Sequence, residues 1–150
     1  ALAVQAVLTA YIPMLMGTGG NSGSQASTAV IRSLSLGETE PSDVLKVIWR
    51  ELRVAVLCGV TLAVVNFMKL LVVDQWLLHN PAVTVPVALT ICLTLVLVVV
   101  FSKIVGSTLP LLAEKIGVDP AVMAAPLIST LTDTVSLLVY FQFARLVLRI

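Results

Sequence analysis

Residues 83–112 run for thirty positions with one charged side chain, Lys103. As a helix, at ~1.5 Å per residue, that run measures ~45 Å, more than the ~30 Å hydrocarbon core of a bilayer. Three further stretches, about 1–34, 46–73 and 120–148, are apolar over similar lengths. A chain of 150 residues has no room to hide four such runs from water. It is 59% hydrophobic and 11% charged, with a mean hydropathy of +1.08; soluble domains are nearer ~25% charged and ~45–50% apolar. The predicted fold is all-α: an integral membrane helical bundle, one domain over 1–150, with four spans in a lipid bilayer.

The connections carry helix punctuation. In "GETEPSD", Gly37 reads as a stop signal and Ser42 or Asp43 as the next N-cap. "HNPAV" suggests Asn80 as a cap followed by Pro81, and "GVDPAV" suggests the same of Asp119 and Pro120. Cys58 and Cys92 lie in apolar runs and read as small buried residues. With a net charge of +1 and no basic stripe, nucleic acid is excluded as a partner. The opening "ALAVQAVLTAYIPMLM" lacks the charged leader of a signal peptide and reads as starting within a membrane segment.

Arg32, Lys46, Arg50, Arg53, Lys103 and Lys115 flank the first and third connections, whereas Lys69, Arg145 and Arg149 lie toward the other side. The positive-inside rule then makes residues 35–45 and 113–119 cytoplasmic and the C-terminus external, the membrane being a bacterial inner membrane. Four spans ending outside also begin outside, so a cytoplasmic N-terminus would require one more span upstream.

Asp133 is the costly residue. It lies about a dozen positions into the last run, where a carboxylate costs at least ~2.5–3.5 kcal/mol on insertion scales. Ser129, Asp133 and Ser136 fall at i−4, i and i+3, and Tyr140 continues the stripe. Oxygen donors without nitrogen or sulfur suit hard cations such as Mg²⁺ and Ca²⁺. Pro126 frees the carbonyl of Val122, which membranes tolerate where it meets protein, water or a cation. Pro13, Pro86 and Pro110 interrupt the other runs in a similar way.

"GTGGNSGSQ", residues 17–25, places glycines where they weaken a helix by roughly 1 kcal/mol each in water. Gly19 and Gly23 fit a small-residue helix contact. That does not account for Asn21, Ser22, Ser24, Gln25, Ser27 and Thr28 in the same region. A narrow pore wall accounts for both, the glycines letting backbone approach an axis while amide and hydroxyl oxygens face a hydrated ion.

"PMLMGTGGNSGSQASTAVIRSL" resembles the signature segment of the MgtE family of Mg²⁺ transporters, and "GVDPAVMAAPLISTLTDTVSLLVYF" resembles that family's last membrane helix. The likeness covers the chain in order. It implies helices two to five of a five-helix domain, a homodimer with its pore on the two-fold axis, and a channel-like pore carrying Mg²⁺. It further implies a hydrated ion held by Asp133 from two subunits, backbone carbonyls of Ala125 and Ser129 assisting, Gly20 and Asn21 lining the facing helix, and Asp119 at the cytoplasmic mouth. Many members add a cytoplasmic sensor half. Ala125 replaces an asparagine found in some members, so only its backbone role carries over. Mn²⁺, Co²⁺ and Ca²⁺ are expected substitutes for Mg²⁺.

Other readings remain at this point. Asp133 also suits a proton-coupled secondary carrier. "GNSG" matches the Gly-x-Ser-Gly of intramembrane serine proteases, with Ser22 as nucleophile, but that chemistry needs a histidine base and His79 sits in a loop. The chain is therefore expected not to be an enzyme.

Overall fold

The computed structural model describes residues 2–148, apart from the side chains of Leu2 and residues 123–125. Four long helices make up the chain: α1 (Leu2–Ser35), α2 (Val44–Lys69), α3 (Val85–Lys115) and α4 (Pro120–Leu148). A π-helical segment, Leu70–Leu77, extends α2. Three of these are long and apolar enough to cross a membrane: Val44–Leu77, Val85–Lys115 and Pro126–Leu148. α1, at 34 residues, has the length, but its polar middle interrupts the apolar run. It continues as helix through all its glycines rather than breaking there.

α3 is the central element, packed along each of the other three helices, and α1 also packs on α4. α2 rests mainly on α3 and reaches α1 through Tyr11, whose hydroxyl donates to Asp74 at 2.9 Å and accepts from Lys69 at 2.9 Å. Lys69 and Asp74 close the triangle at 2.7 Å. Leu8, Leu15, Leu70, Val87, Ile91, Leu95 and Tyr140 form an apolar cluster at this end of the bundle. A smaller cluster of Val30, Val47 and Leu111 lies at the other end.

Between the clusters the helices pinch together. A Cβ on Gly19 would come within 2.9 Å of Val98 and 3.3 Å of the Ser136 hydroxyl, and one on Gly23 within 2.6 Å of Ile128. A Cβ on Gly106 would collide with the Gly23 carbonyl. Gly19 and Gly23 are thus the small-residue contact that brings α1 against α3 and α4, an arrangement that gains van der Waals contact where lipid supplies no hydrophobic drive.

The helix ends show what terminates each run. Gly37 (φ +69°) and Gly117 (φ +74°) take the left-handed conformation after α1 and α3. In both turns the following amide bonds back to close a Schellman motif, Glu38 to Ser33 and Val118 to Ala113. Asp119 caps α4 through the Ala121 amide at 2.8 Å, with Pro120 at the first helical position. Asp43 stands at the N-cap of α2, but its carboxylate accepts from Lys46 and the Glu40 amide instead of from the helix. The Lys46 ammonium and that amide hold the Asp43 carboxyl below the usual carboxylate range. Asn80 does not cap α3. Its side chain closes a turn on the Ala82 amide, and Thr84 takes the cap with Pro86 at the helix start.

Candidate functional site

Gly19 meets Ser136 and Gly23 meets Ile128, so α1 and α4 run in opposite directions along their contact. Thr132, between those two α4 positions, is fully buried. Stepping one residue past Gly19 to Gly20, and one past Thr132 to Asp133, turns ~100° on each helix. Because the helices are antiparallel, both steps turn to the same side of the pair. Ser129 and Pro126 share that side of α4. A Cβ on Gly20 or Gly17 would meet no atom within 4 Å.

Asp133 is half-buried and Ser129 exposed. Among the described residues no hydrogen bond reaches the Asp133 carboxylate, whereas the Ser129 carbonyl accepts from Thr132 at 3.1 Å. Asp119 is exposed at the start of α4, ~21 Å along the helix from Asp133 at ~1.5 Å per residue. Asn21 is exposed and lines two openings. One is a groove of about 530 Å³ along α1 with Ser24, Gln25, Thr28 and Arg32. The other is a cavity of about 460 Å³ between α1 and α2, with Ser22, Gln25, Cys58 and Lys103. Ala125 falls outside the residues whose side chains are described. Among the described residues no cluster of three His, Cys, Asp or Glu side chains exists to cage a metal within one chain.

The stripe read from the sequence divides. Ser136 is buried, its hydroxyl turned back to the Thr132 carbonyl. Tyr140 is also buried, and its hydroxyl donates to the Leu8 carbonyl at 2.9 Å. Tyr140 therefore anchors α4 to α1 and is not part of the polar face: an i+7 position stays within ~20° of Asp133 on the helix, but at that level α1 covers it. Cys58 is exposed, contrary to the sequence reading, while Cys92 is buried. On α2 an apolar run signals contact with lipid as readily as with protein.

Lys103 also needs correction. It does not flank a span: only 9% of its side chain is exposed, and its ammonium lies 3.5 Å from the Glu51 carboxylate, itself 8% exposed. Arg50 reaches the other Glu51 oxygen at 3.4 Å. Half of this signal was present in the sequence, in Lys103 as a lone base in an apolar run; Glu51, flanked by Arg50 and Arg53, did not stand out. His79 has an exposed ring near the Leu77 carbonyl and φ +50°, whereas Ser22 is buried on α1. No nucleophile–base pair forms there.

A bundle of long helices, three of them apolar enough to span a bilayer, defines a helical membrane protein. The chain belongs to the MgtE family: residues 12–143 match its model, described as a divalent cation transporter. It is 38% identical over 141 residues to the magnesium transporter MgtE of Thermus thermophilus, 34% over 141 residues to that of Bacillus subtilis and 31% over 143 residues to that of Enterococcus faecalis. These alignments cover 94%, 91% and 95% of this chain but only 29–30% of each relative. The family consists of transporters, so the protease reading falls.

Proposed function

We propose that the chain is the membrane part of a Mg²⁺ transporter and conducts hydrated Mg²⁺ through a channel-like pore on the axis of a homodimer. All four helices span the bilayer in this reading, with residues 35–45 and 113–119 cytoplasmic and the C-terminus outside. Asp133 from each subunit holds the ion. Ser129 and the Ala125 carbonyl assist, Gly20 and Asn21 shape the facing wall, and Asp119 attracts cations at the cytoplasmic mouth. The observation that carries the reading is the Asp133 carboxylate, half-buried in mid-helix with no donor among the described residues, on the same side of the α1–α4 pair as the open Gly20.

Mg²⁺ chemistry supports one acid per subunit. The ion demands octahedral oxygen at ~2.0–2.1 Å and dehydrates reluctantly, so a few carboxylates and polar walls suit it better than a full protein cage. Two opposed carboxylates favour a divalent over a monovalent ion. Mn²⁺ and Co²⁺ follow the same hard-oxygen logic, and Ca²⁺ differs mainly in size.

Mg²⁺ flux into liposomes, measured at several pH values for wild type and Asp133→Asn, tests this. Asparagine keeps the shape and one carbonyl oxygen but removes the charge, so flux should fall at least tenfold at every pH, equivalent to ~1.4 kcal/mol or more. Mutant flux at the wild-type rate would remove Asp133 from the path. A mutant that lost only the pH dependence of transport would favour a proton-coupled carrier.

A further inference from the structure

The first three turns of α2 carry an exposed basic face that the pore does not use. Lys46, Arg50 and Arg53, with Trp49 between them, occupy an arc of about 100° at 3.6 residues per turn. The Lys46 side chain is 83% exposed and that of Arg50 47%, and Trp49 is 60% exposed. The carboxylates nearby neutralise this face only in part. Arg50 shares the buried Glu51 with Lys103. Lys46 pairs with Asp43 at 2.6 Å, but on an exposed surface where such a pair contributes little. The Arg53 guanidinium lies 5.8 Å from the centre of the Trp49 ring, and among the described residues it has no carboxylate within ion-pair distance.

The same arc then changes character. Leu57, Val60 and Val64 continue it, 70%, 48% and 53% exposed. An occupant must therefore be anionic at one end and apolar at the other, with the change about one helical turn past Arg53. Trp49 sits among the cations, about two turns before the change, and indole rings gather at membrane–water boundaries. An acidic protein would meet the cations but not the apolar continuation.

We propose that Lys46, Trp49, Arg50 and Arg53 form a docking site for the phosphate headgroup of an anionic phospholipid, with Leu57, Val60 and Val64 lying along its acyl chain. The inference rests on the membrane placement of α2 and is independent of Asp133. Each basic residue near an anionic surface contributes enough that losing two lowers lipid association roughly thirty-fold at low salt.

The test measures association of spin-labelled phosphatidylglycerol, relative to spin-labelled phosphatidylcholine, with the purified protein in bilayers. Wild type is compared with Lys46→Gln/Arg53→Gln, which leaves Arg50 on Glu51. Wild type should prefer phosphatidylglycerol, and the double variant should lose that preference while retaining the motionally restricted phosphatidylcholine component that reports an inserted, folded bundle. Arg53→Lys should keep it. An undiminished preference in the double variant overturns the site. So does displacement of the labelled phosphatidylglycerol by inorganic phosphate or an acidic peptide at equal charge. Absence of a restricted component for either lipid would instead contradict the membrane placement itself.

Discussion

Four glycines of α1 divide between two duties. Gly19 and Gly23 are packed so tightly that any Cβ meets another helix, while Gly17 and Gly20 face open space. Gly23→Ala should therefore destabilise the bundle, since overpacking costs ~1–3 kcal/mol, and thermal denaturation in detergent measures it. Gly20→Val should leave the denaturation midpoint within a few degrees of wild type yet abolish Mg²⁺ flux, because the branched side chain narrows the proposed path. Normal flux by Gly20→Val would mean that Gly20 lies away from the path. Tyr140→Phe removes the side-chain donor to the Leu8 carbonyl, which keeps its place in the α1 backbone ladder, and should cost about 0.5–1.5 kcal/mol with little effect on ion selectivity.

At the scale of elements, α2 is the least enclosed helix, and the Glu51–Lys103 pair pins it to α3. Removing one member of a buried pair strands a charge at a cost of ~3–5 kcal/mol, whereas replacing both is often neutral. Glu51→Gln should lower thermal stability sharply by stranding Lys103, Lys103→Met less because Arg50 still meets Glu51, and the double variant should recover most of the Glu51→Gln loss. Additive losses would show that the two do not act as a pair. The helix ends were legible where glycine or an Asp–Pro step dictates local backbone, as at Gly37 and at Asp119–Pro120. The start of α3 was not, because Asn80 and Thr84 both suit a cap and the Ala82 turn decides between them. The π-helical Leu70–Leu77 left no local signal. Burial was harder still to read: Cys58 and Cys92 sit in equally apolar sequence, yet one faces outward and the other the core. Where lipid replaces water, the apolar stripe that marks a core-facing side spreads round the helix.

For the whole molecule, one chain leaves Asn21, Gln25, Thr28, Ser129, Thr130 and Thr134 exposed on helices whose neighbours are apolar. Polar groups exposed to hydrocarbon are costly. In the proposed two-fold assembly these faces turn inward, away from lipid, with two copies of Asp133 facing each other. Asp133 stood out in the sequence because a carboxylate in mid-span is expensive enough to need a reason, and the 17–25 segment because its glycines came with amides and hydroxyls; their roles remain part of the proposal. Which glycines pack and which stay open required the coordinates. The most direct measurement is a structure of the assembled protein in Mn²⁺, with anomalous scattering locating the metal. The account predicts a peak on the two-fold axis between the two Asp133 carboxylates, lost in Asp133→Asn. Asp133 facing lipid, or the two copies lying tens of ångströms apart with metal bound elsewhere, would contradict it.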